Sequence, residues 1–230
     1  MKFLNSVHLN GVQYSEIMMA ARNSDHSGRH DRESVTATAL RLLDDVGLPD
    51  LSMRRLAGEL GIQPSALYWH FDSKQQLLGA IAERILARIP TAASTATATD
   101  ADILNAARGI RDALLAYRDG AEVVLSSYAL GFGVERTEAH LRAVLERRAA
   151  AESSVAATTL LQFIIGHALL VQQRLHAESL GAAQLGSGDD ATGDVTAAFD
   201  AGVMLFLHGV DAAGSEAKTT LRYDTVDTRE

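Results

Sequence analysis

The chain has 230 residues, 47% hydrophobic and 22% charged with only three prolines, a composition that suits one or two globular domains and excludes a disordered chain. It holds no cysteine, so disulfide frameworks, thiolate metal sites, iron–sulfur clusters and a cysteine nucleophile are excluded together. The net charge of −8 lies in residues 91–230 and leaves residues 1–90 neutral, so any contact with DNA falls to a few well-placed cations there and not to a broad basic field.

Residues 1–30 have weak periodicity and lead into the polar stretch RNSDHSGRHD; they read as an N-terminal arm, partly disordered, with a short helical turn at Tyr14 to Ala21. Asn5, His8, Asn10, Gln13 and Glu16 interrupt the first twenty residues, so no signal-peptide core is present and a cytoplasmic location is expected. From Arg32 to Val46 the apolar positions Val35, Ala39, Leu42, Leu43 and Val46 recur at helical spacing, and Gly47 with Pro49 ends the element. Ser52 offers an N-cap oxygen to a short helix carrying Leu56, Ala57 and Leu60, which Gly61 ends. Pro64 suits the first turn of a third helix, where its missing N–H has no partner to lose, with Ala66 to Phe71 following; Ser73 then caps a fourth helix through Leu86.

The stretch TAASTATATD, residues 91–100, has lost all large apolar side chains and marks a domain boundary, with residues 31–90 on one side and 91–230 on the other. Helical patterns follow at about 101–118, 121–131, 134–150, 153–179 and 194–210, the last two separated by the Gly- and Asp-rich GAAQLGSGDDATGD. The longest apolar run, around Leu160 to Val171, contains Gln162 and His167 and is shorter than the roughly 20 residues of a membrane span, so it reads as a buried helix and no membrane partner is expected. No period-two alternation bounded by hairpin turns is visible, and the chain reads as all-α.

The most specific segment is MRRLAGELGIQPSALYWHF, residues 53–71. Two short helices joined by a tight turn must cross closely, which asks for a small residue at the crossing and one tolerant of positive φ in the turn; Ala57 and Gly61 fill those roles. Leu56, Leu60, Ile62 and Leu67 supply the apolar contacts. This is a helix-turn-helix pattern, whose second helix enters the DNA major groove, although an ordinary helical hairpin shares the spacing. Gln63, Ser65, Tyr68, Trp69 and His70 favour the first reading, being large or polar on a face the core does not need, in a chain that is only 5% aromatic. Arg54, Arg55 and Lys74 stand at the starts of the flanking helices, where free backbone N–H groups also favour phosphate.

ALYWHFDSKQQLL, with the preceding LSMRRLAGELGI, resembles the DNA-binding domain of TetR-family transcriptional repressors, and the later YRDGAEVVL resembles the tetracycline-repressor branch of that family. The resemblance implies an N-terminal helix-turn-helix domain, a C-terminal effector-binding core, and a homodimer whose last two long helices form a four-helix bundle. It places DNA contacts on Arg54, Gln63, Pro64, Ser65, Ala66, Tyr68, His70 and Lys74, with Trp69 mainly packing. Pro64 and Ala66 stand where tetracycline repressors have Gln and Thr, so a different operator is expected.

In that branch a His after the RDGA motif and a Glu on the first bundle helix hold a magnesium–drug complex; the positions here are Val124 and Leu175, which offer no donor to a hard cation. Other drug-contacting positions fall on Ile110, Ser127 and Val144, and Ser127, Tyr128, Gln162 and His167 are the polar candidates for orienting a ligand, His167 reading more readily as a satisfied core or interface histidine. The expected effector is a largely apolar small molecule, with no metal and no cofactor. No zinc motif, nucleophile elbow or phosphate loop argues for an enzyme, and Glu146 and Glu152 fall in charged helical faces. The expectation is a ligand-responsive repressor that binds a palindromic double-stranded DNA operator as a homodimer, which a charge at Ile165 should disrupt. The competing readings are a helix-turn-helix regulator without a small-molecule effector and a helical enzyme or ligand carrier on the same fold.

Overall fold

The computed structural model describes residues 30–89, 97–148, 153–181 and 190–224, with side chains of the last helix described for 195–213. The expected helical turn at Tyr14 to Ala21 lies outside the described residues. Among the described residues all regular structure is helical: α1 Arg32–Val46, α2 Met53–Leu60, α3 Pro64–Leu67, α4 Lys74–Leu86, α5 Asp100–Leu115, α6 Gly120–Ala129, α7 Glu135–Arg147, α8 Ser153–Ser179 and α9 Asp190–Asp224.

The helix starts follow their capping chemistry. Asp31 accepts from Ser34 N at the start of α1, Ser52 from Arg55 N at α2, and Ser73 from Gln76 N at α4. Thr99 and Asp102 form a reciprocal capping box at α5. The third helix is shorter than the expected Ala66–Phe71 run: only Pro64–Leu67 is α-helical, and the chain continues through tightened turns, with Trp69 N donating to Ala66 O and His70 N to Leu67 O.

Helix α5 also ends before the expected position 118. Gln172 of α8 reaches into the following corner, its amide nitrogen donating to Leu114 O (3.2 Å) and Tyr117 O (2.8 Å) while its amide oxygen accepts from Ala121 N (3.0 Å). One side chain thus satisfies the last carbonyls of α5 and an early N–H of α6, and the chain can turn there.

One continuous apolar core runs from Val35 in α1 through Leu56, Leu67, Phe71 and Ile81 to Ile110, Val124, Val144, Leu161 and Phe199. α8 packs against α5, α6 and α7, and α9 lies along α5 and α8. Two ion-pair groups tie α9 down: Arg108 of α5 grips Asp200 bidentately, and Arg148 bridges Asp100 and Asp211.

The apolar stretch in α8 is longer than the run read from the sequence. By length and composition alone, α8 and residues 195–213 are each sufficient to cross a membrane, a test that core helices of soluble proteins also pass. α8 buries Ala156, Leu160, Leu161, Ile164, Ile165 and Ala168 in its own chain and leaves Val155, Leu170 and Leu175 open. Ile165, expected at the dimer surface, is only 1% exposed within the single chain, so a charge there would damage the core before it reported on assembly.

Candidate nucleic-acid interface and effector core

The turn between α2 and α3 is a Schellman cap: Gly61 adopts φ 67°, ψ 29°, Ile62 N donates to Ala57 O (3.0 Å) and Gly61 N to Gly58 O (3.2 Å). Ala57 is buried at the crossing, as the small-residue argument requires, and Leu56 and Leu67 are fully buried beside it. Leu60 and Ile62 are partly buried against the same core. The turn therefore sets the angle at which α3 leaves α2, and only glycine takes its left-handed backbone without strain.

Leu67 and Phe71, four residues apart, are the inward side of α3 and its continuation. At about 100° per residue, positions between them point outward. Arg54, Gln63, Pro64, Ser65 and Tyr68 are exposed, while Ala66, His70 and Lys74 are half-buried around them. Tyr68 is 52% exposed and so free to reach a partner. Trp69 is 89% exposed, which overturns its expected packing role: two positions from Leu67 it falls opposite the buried side, a signal already present in the Leu67/Phe71 spacing. The result is a polar and aromatic surface carrying amide, hydroxyl, phenol, indole and imidazole groups, flanked by Arg54, Arg55 and Lys74. Such groups donate and accept at base edges and phosphates and stack on sugars and methyls.

This head is joined to the core at two tight places. At the first, the RDGA corner meets the end of α1: Arg118 N donates to Asp44 Oδ1 (2.9 Å), and Leu48 N donates to Asp119 Oδ2 (2.8 Å). Asp119 holds a left-handed backbone, φ 54°, and a Cβ on Gly47 would come within 2.8 Å of its carboxylate. At the second, the corner between α6 and α7 meets α4: a Cβ on Gly133 would lie 2.6 Å from Gly79 O, and one on Gly79 would lie 3.0 Å from Phe132 Cβ. Backbone therefore touches backbone where the two parts meet.

The effector candidates do not all gather in one place. Ile110, Val124 and Val144 are fully buried in the core, and Ser127 is 2% exposed with its hydroxyl unpartnered among the described residues. Tyr128 is partly buried and its hydroxyl accepts from Gln162 Nε2 at 3.4 Å, although Gln162 itself is exposed. His167 sits elsewhere, beside Phe199 (ring centroids 4.8 Å) and Phe163 (6.3 Å), two rings that stack on each other at 5.6 Å, and Arg111 lies over the Phe199 ring at 4.7 Å. Its Nε2 is buried without a partner among the described residues, and burial, reinforced by Arg111 and Arg174, holds its pKa below the ordinary histidine value. Leu175 is 57% exposed on α8, outside the buried core that holds Ile110, Val124 and Val144. Gln172, the residue that shapes the corner leading into α6, was not among the sequence candidates; it is one of three glutamines in α8, and local spacing does not single it out.

Comparison with known proteins agrees with this architecture. The profile for bacterial regulatory proteins of the tetR family matches residues 35–81, and that for the tetracyclin repressor-like C-terminal domain matches residues 96–196. The tetracycline repressor protein class C of Escherichia coli is 34% identical over 197 residues, which cover 78% of this chain and 90% of that protein. The crystal structure of BioQ with its natural double-stranded DNA operator is similar at a TM-score of 0.65 and 34% identity, over 79% of this chain and 98% of that one. A TetR variant from Acinetobacter baumannii AYE in complex with minocycline is similar at a TM-score of 0.61 and 28% identity, over 80% and 98%. The helix-turn-helix head and the helical core are each matched, in that order and over most of a relative's length, and the chain belongs to the TetR family of bacterial regulatory proteins.

Proposed function

We infer that the protein is a ligand-responsive transcriptional regulator that binds a DNA operator as a homodimer and lets go of it when a small molecule enters the core. The observation that carries the reading is the outward surface of α3, where Gln63, Ser65, Tyr68 and Trp69 face solvent on a helix held by a Schellman turn. Its relatives are regulators and not enzymes, BioQ has been crystallised with operator DNA, and a TetR variant with minocycline. The protein acts in the cytoplasm, where DNA is.

In a dimer the two copies of α3 read operator halves about one helical turn, roughly 34 Å, apart, so a palindromic operator follows from two-fold symmetry. An effector that prefers a conformation with a different separation shifts the population away from DNA; differential affinity does the work, not binding alone. The core positions Ile110, Val124 and Val144 favour a largely apolar effector, with the Ser127 hydroxyl as a buried hydrogen-bonding group that fixes orientation. Val124 and Leu175 supply no metal donor, so the response is independent of magnesium.

The test is a gel-shift assay on the DNA flanking the protein's own gene, repeated with apolar candidate ligands. Retardation reversed by a ligand is expected. Retardation that no ligand reverses would leave a regulator without a small-molecule effector.

A further inference from the structure

Arg32 begins α1, three residues before the matched helix-turn-helix segment, and the function described so far gives it no role. An arginine is a poor choice there on electrostatic grounds, because the N-terminus of a helix carries partial positive charge. Its guanidinium spends itself elsewhere. Nη1 donates to His70 O at 2.5 Å, and the guanidinium carbon lies 4.2 Å over the centre of the Phe71 ring. His70 and Phe71 are where the tightened continuation of α3 ends, directly after Tyr68 and Trp69.

We propose that Arg32 is a positioning residue for DNA reading, a clamp that fixes the carboxyl end of α3 and thereby the direction in which Tyr68, Trp69 and His70 are presented to the duplex. The need for one is physical. α3 has a single α-helical turn, too short to be stable by itself, and Tyr68, Trp69 and His70 follow it in turns held by i→i−3 hydrogen bonds. Its first end is held by the Gly61 turn and Pro64, and its inward side by Leu67 and Phe71. The last carbonyls of such a segment have no helical partner, and Arg32 takes the one at His70 while covering the ring that anchors the next residue. The planar guanidinium can make an in-plane hydrogen bond and a face contact at once; a lysine ammonium is a point charge and cannot do both as well.

The inference rests on the DNA-binding reading of α3, and the experiment separates the two. Wild-type protein, R32M and R32K are compared as full-length chains on the flanking DNA that wild type retards and on an unrelated duplex, over a range of salt. R32M keeps the aliphatic stem and loses the guanidinium; it is expected to bind the operator at least tenfold more weakly, to change little on unrelated DNA, and to keep the wild-type slope of log affinity against log salt. R32K is expected to recover part of the loss. A direct phosphate contact would behave differently, weakening both duplexes alike and lowering the slope by about 0.9, and that result overturns the proposal. So does unchanged operator affinity in R32M.

A second arm needs no DNA. Trp69 is the only tryptophan in the chain, so its time-resolved fluorescence anisotropy reports on this segment alone. A larger fast component in R32M than in wild type, with the far-UV circular dichroism unchanged, is the expected result; identical decays overturn the clamp. Should wild type retard no DNA at all, the regulator reading falls while the anisotropy still decides whether Arg32 holds the segment.

Discussion

Tyr68 and Lys74 belong to the surface proposed to face DNA, and each makes a separable prediction. Tyr68 is half exposed, so Tyr68→Ala should cost about 1–3 kcal/mol in operator binding while leaving a folded dimer by circular dichroism and mass. Lys74→Ala should weaken all duplexes alike and lower the salt slope by about 0.9, as the loss of one phosphate contact requires. This surface was legible in the sequence because the Leu67/Phe71 spacing and the polar intervening residues point the same way. Trp69 was misread there because a tryptophan is usually buried, whereas here the short helix has room for only two inward side chains. Arg32 was not legible at all: its partners are a backbone carbonyl and a ring 38 and 39 positions away, and no local pattern announces such a contact.

Among the helices, α9 is attached to α5 and α7 through charged groups, and its docking is expected to depend on pH. Hydrogen bonds from Arg108 and Arg148 hold the Asp200 and Asp211 carboxyls below the ordinary carboxylate range. Their contribution is present above the unfolded value of about 3.9 and is lost as pH falls through the folded values. Burial lowers His140 and His167 as well, so their contribution is full above about 6.5 and declines as pH falls towards their folded values. Both effects have the same sign. The melting temperature should decline first as pH falls below about 6.5 and again below about pH 4; His167→Gln should shrink the first step and Asp200→Asn the second. The caps at Ser52, Gly61, Ser73 and Gly47 could be read from the sequence because they act within a few residues of themselves. The early end of α5 could not, because Gln172 imposes it from α8.

For the whole molecule, Leu170, Leu175 and Leu205 are open apolar side chains on α8 and α9, and a second copy is expected to cover them in a dimer. Leu170→Glu should halve the mass seen in sedimentation without unfolding the chain, which Ile165 could not test from inside the core. A monomeric wild type with full operator affinity would contradict the dimer. The effector makes a further prediction at this scale: chelators should leave ligand-induced release intact, and tetracycline should bind weakly with or without magnesium in calorimetry. The all-helical fold and its order were legible from periodicity and turn residues. The proposal of Ile110, Val124, Ser127 and Val144 as effector positions rested on the family resemblance, since contacts between distant helices leave no trace in local spacing.

The contacts of Gly47 with Asp119 and of Gly79 with Gly133 carry a lesson for anyone who would build hybrid regulators from this family. The chain looks modular, with a small-residue stretch at 91–100 inviting a cut between reader and sensor. The true seam is where those glycines meet the other part, and it has no room for a single methyl group at Gly47 or Gly133. A foreign head spliced in at residue 90 should transmit a ligand signal only if it brings glycine at the positions equivalent to 47 and 79. Hybrids with alanine there should still retard the new operator in gel shifts, yet stay bound when the ligand is added.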